Sequence, residues 1–161
     1  MKSVTFLGNG GWFWILCAVV LLVIPKTRKT GCAAALSLIL GAIVTNLLLK
    51  NIVARPRPFA EIEALIPLIT KPKDFSFPSG HTTASFAVAL VMLRMLPKKF
   101  GIPAVVLAAL VAFSRLYLGV HYPLDIAVGL LWGGTVGCVV YFVYYKFREK
   151  LSQSKRFVST Q

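Results

Sequence analysis

Acidic residues are scarce in this chain. Five Asp and Glu stand against eighteen Lys and Arg in 161 residues, a formal net charge of +13, and charged residues of both signs make up only 14%. A soluble domain needs more charge than this on its surface. A disordered segment needs low hydrophobicity, whereas 57% of these residues are hydrophobic. The basic excess alone would suit a nucleic-acid binder, but a surface polar enough to keep such a protein in solution is missing, so no nucleic-acid partner is expected. Histidine occurs twice, as His81 and His121, which leaves too few ligands for a metal centre built from imidazoles. The three cysteines, Cys17, Cys32 and Cys138, lie singly inside apolar stretches with no paired spacing. They read as small buried side chains rather than a disulfide framework or metal ligands.

What the chain has in abundance is long apolar runs, with a mean hydropathy of +0.76. A bilayer core takes about 20 apolar helical residues. Five candidate spans follow, at about residues 11–25, 31–49, 81–96, 102–117 and 124–145. The expectation is a single-domain, all-α, polytopic membrane helix bundle over 1–161, with no cofactor. Residues 11–25 lead into Pro25-Lys26-Thr27-Arg28-Lys29 rather than a small-x-small cleavage site, as in a retained helix. The longest connection, 51–80, holds five prolines, so it is expected as an interfacial loop rather than one long helix. The polar segment 146–161 is expected to fray. Eleven of the eighteen basic residues fall in the first and third connections and the C-terminal segment. The positive-inside rule then puts the C-terminus in the cytoplasm and the 51–80 loop outside. In the last span Gly129, Gly133 and Gly137 recur every four residues. That is a close-packing face, either within the chain or in a homodimer. Asn46, one turn before Lys50, is read as a bond to a neighbouring helix.

Ionisable groups at the ends of membrane spans are costly, and here they gather in three clusters on the outer side. The first is Lys50-Asn-Ile-Val-Ala-Arg55-Pro56-Arg57-Pro58, the second Phe77-Pro78-Ser79-Gly80-His81, and the third runs from Ser114-Arg115 to His121 and Asp125. Lys50, Arg57 and Arg115 together would form an anion site, with forked guanidinium donors suited to phosphate. Ser79 and Gly80 at a helix start add a hydroxyl and free backbone N–H groups. His121 and Asp125 are spaced so that a carboxylate can hold one imidazole nitrogen and free the other to attack. His81, from another helix, can protonate a leaving oxygen. Singly, these residues have plain readings: a snorkelling lysine, interfacial arginines, an N-cap serine, an acid at a helix start. Their gathering on one membrane face is poorly explained by separate causes. The parts describe phosphoryl transfer without a protein-bound metal.

The clusters resemble the type 2 phosphatidic acid phosphatase family, whose pattern is K-x6-R-P, P-S-G-H and S-R-x5-H-x3-D. Lys50 through Arg57-Pro58, Pro78 to His81, and Ser114-Arg115 through His121 to Asp125 meet it in order and spacing. The resemblance implies a vanadium-haloperoxidase-like active-site core. It implies His121 as a nucleophile forming a phosphohistidine, Asp125 orienting it, and His81 as general acid. Lys50, Arg57, Ser79, Gly80 and Arg115 would hold the phosphate. Arg55 is outside the pattern and is expected to be interfacial. The implied substrate is a lipid phosphate drawn from a bacterial cell membrane, foremost undecaprenyl diphosphate, with phosphatidylglycerol phosphate or phosphatidic acid as alternatives. A non-catalytic anion-binding or transport protein and a haloperoxidase are the weaker alternatives. Family members of this type commonly have six spans, one more than is counted here.

Overall fold

A computed structural model describes residues 1–158, and every regular element among them is helical. The helices are α1 (Lys2–Gly8), α2 (Trp12–Val23), α3 (Arg28–Ala42), α4 (Lys50–Val53), α5 (Pro58–Glu61), α6 (Gly80–Met95), α7 (Lys98–Tyr117) and α8 (Pro123–Val158). Four stretches are long and apolar enough to cross a membrane: Lys2–Val23, Arg28–Glu61, Lys98–Tyr117 and Pro123–Lys150. The fifth expected span, α6, is 16 residues long, about 24 Å at 1.5 Å per residue.

The helix ends follow local chemistry. A short turn at Asn9–Gly11 joins α1 to α2, with Gly10 at φ 58° and Gly11 at φ 72°. A Cβ disfavours both conformations. Ser79 caps α6 by accepting from the Thr82 amide at 3.4 Å, and Pro123 occupies the start of α8, where its missing N–H costs nothing. Between α3 and α4 the backbone widens into a π-helical stretch at Ile43–Leu49, immediately before the buried Lys50.

The short helix α6 is the centre of the bundle. It packs against α3, α7 and α8 and is buried nearly all round, with Thr82, Thr83, Ser85, Phe86, Val88 and Val91 inside. Small side chains let the axes approach closely. A Cβ at Gly129 would lie 2.9 Å from the Ser79 carbonyl, one at Gly137 2.6 Å from that of Ala87, and one at Gly133 would collide with the Thr83 backbone. The glycine face of α8 is therefore covered by α6 of the same chain. This is the within-chain reading of that face; association of two copies through it is a separate matter for the oligomeric state in solution. The outward residues are large and apolar, with Leu47 and Leu131 each 65% exposed, as a lipid-facing surface requires.

Helix α8 also runs on where fraying was expected, past Lys146 to Val158. Residues 159–161 lie outside the described residues.

Candidate active site

The three clusters meet at one end of the bundle. Lys50, Arg57, Gly80, His81, Arg115 and His121 line a single cavity of about 880 Å³. Ser79 and Asp125 sit behind its wall, both fully buried. Ser79 is engaged with Thr82, whose hydroxyl lies 3.0 Å away, in addition to the capping contact. Of the eight residues expected at the site, six therefore border the cavity directly. Ser79 shapes the α6 N-terminus, and Asp125 acts from behind His121.

His121 lies in the turn between α7 and α8, which Gly119 opens at φ 70°. Its two ring nitrogens face different surroundings. Nδ1 lies 3.4 Å from Asp125 Oδ2 and 3.4 Å from Ser76 Oγ, while Nε2 lies 3.3 Å from Arg57 Nη1, and the residue itself lines the cavity. A guanidinium can only donate, so the Nε2 lone pair is the acceptor and the ring proton sits on Nδ1 toward the carboxylate. Burial pushes the His121 pKa down to about 4, against the opposing pull of Asp125 and with Arg57 and Arg115 adding to the depression. Burial thus favours the uncharged imidazole, whose Nε2 lone pair faces the Arg57 guanidinium.

Asp125 is held on both oxygens. Ser76 Oγ donates to Oδ2 at 2.5 Å and the Tyr122 amide at 2.9 Å, while Arg55 Nη1 donates to Oδ1 at 3.1 Å. Arg55, expected at the interface, therefore turns inward.

The cations are arranged around an acid that the motifs do not contain. Arg57 donates through Nη2 to the Asp74 carboxylate at 2.6 Å, through Nε to the Asp74 carbonyl at 2.8 Å, and through Nη1 to the Val120 carbonyl at 2.8 Å. Lys50 pairs with the other carboxylate oxygen of Asp74. Burial alone would raise the Asp74 pKa, but the bonds and charges of Lys50 and Arg57 override it and bring it to about 2. Arg115, 2% exposed, donates to the Thr5 hydroxyl at 2.5 Å. Its Nε is buried with no hydrogen-bond partner among the described residues. A fixed cation with an unused buried donor beside a polar cavity fits an anionic ligand. His81 Nε2 lies 3.1 Å from Asn9 Oδ1.

Four contributors were missed from sequence: Thr5, Asn9, Asp74 and Ser76. Thr5 and Asn9 carry no periodic or motif signal. Asp74 had one, as one of the chain's five acids, set directly after Lys71-Pro72-Lys73. Ser76 stands two residues before Pro78 with nothing to distinguish it from a turn serine.

Residues 30–149 match the PAP2 superfamily. An undecaprenyl-diphosphatase of Sulfolobus acidocaldarius is 37% identical over 125 residues, which cover 78% of this chain and 60% of that protein. The chain thus spans less than two thirds of that relative's length. Among solved structures, a transmembrane PAP2-type phosphatidylglycerolphosphate phosphatase from Bacillus subtilis superposes with a TM-score of 0.66 at 29% identity, over 93% of this chain and 75% of that one. A bacterial vanadium-dependent iodoperoxidase shares the fold, with a TM-score of 0.66 at 22% identity over 79% of this chain and 37% of its own. The haloperoxidase-like core expected from the motifs is therefore present.

Proposed function

The chain belongs to the PAP2 superfamily, and from that premise and the geometry of its site we propose that it is a lipid phosphatase working through a phosphohistidine on His121. One observation carries the reading. His121, with an acid at its Nδ1, lines one cavity together with Lys50, Arg57 and Arg115.

The steps follow from those positions. The phosphate enters among the three cations, which take its negative charge without calling for a protein-bound metal. Nε2 of His121 attacks phosphorus as the bond to the lipid oxygen breaks. His81 gives that oxygen its proton. Asp125 balances the charge the imidazole gains while the N–P bond exists. A water then attacks phosphorus, His81 takes a proton from it, and the N–P bond breaks to release inorganic phosphate.

The substrate class is read from the walls. A second cavity of about 280 Å³ shares Gly10, Lys50, Asp74, Gly80 and His81 with the first, and adds Ile15, Leu38 and Ala42 from α2 and α3. Polar residues at the shared end and apolar ones beyond suit a phosphorylated headgroup with an alkyl chain. Undecaprenyl diphosphate is the leading substrate, in keeping with the Sulfolobus relative. Phosphatidylglycerol phosphate is the second, in keeping with the Bacillus structure, and phosphatidic acid the third. The basic-residue asymmetry supports a site on the extracytoplasmic face of a cell membrane, with a cytoplasmic C-terminus.

The test is phosphate release by the purified full chain from each of the three lipids with EDTA present. Release is expected from at least one, and its loss in His121→Ala. Release that survives that substitution overturns the nucleophile, loss with EDTA overturns the metal-free mechanism, and no release from any lipid returns the chain to an anion-binding role.

A further inference from the structure

Arg55 lies outside the family pattern, and nothing in the mechanism above uses it. Its placement is nevertheless specific. The guanidinium is 3.8 Å from the centroid of the Tyr122 ring, and its Nη1 reaches Asp125 Oδ1 at 3.1 Å. The Tyr122 hydroxyl donates to Glu61 at 2.5 Å, and the Ser76 amide donates to the Arg55 carbonyl at 2.9 Å. Ring, carboxylate and backbone together fix the direction in which this side chain points.

We infer that Arg55 is a positioning residue, the cation that keeps the buried Asp125 carboxylate charged and turned so that its other oxygen holds His121. Asp125 is 0% exposed, and a carboxylate so placed needs a compensating charge. Burial opposes a charge on His121, which makes the imidazole a poor counter-ion. Arg57 is committed to Asp74, Val120 and the Nε2 side of His121. Among the described residues Arg55 alone puts a guanidinium on Asp125, and it takes the one oxygen that Ser76, Tyr122 and His121 leave free. The division of labour is clear: Oδ1 meets the compensating cation, and Oδ2 orients the imidazole.

The sign of the effect follows. The charged and titratable groups facing this pair are Arg55, His121 and Tyr122 around Asp125, with Glu61 on the Tyr122 hydroxyl, and Arg57, Arg115 and His81 beyond His121. Without Arg55 the strain of a lone buried anion can be relieved in two ways. Asp125 takes a proton, or His121 takes one to become its counter-ion. Either event removes the neutral, oriented nucleophile, and either sets in at higher pH than in the unaltered protein. Both routes therefore move the acid side of the pH profile upward.

The inference rests on His121 being the nucleophile, so its test includes a readout that needs no turnover. The chain has only two histidines, which makes an NMR titration of the imidazoles simple, and His121→Gln assigns the resonances. In Arg55→Gln the His121 midpoint, or that of the Asp125–His121 pair, is expected to rise by about one pH unit or more. Arg55→Lys restores most of the difference. In phosphate-release assays the acid limb of kcat/KM moves by the same amount, kcat falls about tenfold or more, and KM changes less than threefold. An unchanged titration in a monodisperse Arg55→Gln protein overturns the inference, as does a rise in KM at constant kcat, the mark of a direct substrate contact. Should Arg55→Gln fail to fold, Tyr122→Leu removes only the ring beneath the guanidinium. It is expected to give a smaller shift in the same direction, and no shift overturns the inference. If His121→Ala keeps its activity, the mechanistic reading falls while the titration still decides whether Arg55 sets the state of Asp125.

Discussion

Asp74 presents the cations of the site with an anion of the protein's own. Its carboxylate engages Lys50 and Arg57, two of the three cations expected to receive a phosphate. Replacing it by Asn frees both cations for an incoming anion. The size of the competition can be read from the pairing. The fall of its pKa from 3.8 to about 2 corresponds to roughly 2 kcal/mol at about 1.4 kcal/mol per pH unit. The side chain is 53% exposed, so solvent screening reduces that to about 1 kcal/mol. A competing anion should therefore bind Asp74→Asn about fivefold more tightly. The pH sign is fixed as well. A depressed carboxylate contributes its ion pairs above pH 3.8 and loses them as pH falls toward 2, so the competition is constant across the neutral range. The assay is the inhibition constant of inorganic phosphate, or calorimetric titration of phosphate into the purified full chain. Glu63→Gln, an exposed change of equal charge, serves as the control. Weaker phosphate binding in Asp74→Asn would refute the reasoning and make Asp74 a strut that holds the cations in place.

Three further outcomes follow from the same geometry. His81→Ala should lower release of phosphate from a lipid by about 10²–10⁴-fold but affect p-nitrophenyl phosphate much less, since that leaving group departs without a proton. Equal losses on both would remove the general-acid role. Thr5→Val leaves the buried Arg115 without its hydroxyl partner and should raise KM several-fold, checked by steady-state kinetics against an unchanged melting temperature. Gly133→Leu forces a side chain into the Thr83 backbone and should destabilise the bundle by about 1–3 kcal/mol or more. Leu131→Ala, on the outward face, should have little effect. A Gly133→Leu protein that melts normally but changes its oligomeric state would favour the dimer reading of that face.

Much of the site was legible because its chemistry rests on side chains at fixed offsets near helix ends. Lys50 and Arg57, Ser79 to His81, and Arg115 to Asp125 each keep a spacing that a short helical or turn segment sets by itself. The long apolar runs likewise gave the bundle, since hydropathy constrains a membrane helix strongly. What sequence did not reveal depends on chain segments without periodicity. Asp74 reaches the cations from the 62–78 connection, whose path is set by prolines and tertiary contacts. Thr5 and Asn9 reach Arg115 and His81 from α1 and the turn after it, where Gly10 and Gly11 break the helix. The inward turn of Arg55 needs Tyr122 and Asp125, distant in sequence. The glycine face could not be assigned from spacing alone, because α6 and a second copy would ask for the same pattern.

The central claim is a covalent intermediate on His121, and rapid quench into alkali tests it most directly. The purified full chain is mixed with radiolabelled lipid phosphate, stopped within one turnover, and digested for mass spectrometry. The account predicts base-stable, acid-labile phosphate on the peptide containing His121, absent in His121→Ala. Single-turnover release with no label on that peptide, or label on His81 instead, would contradict it.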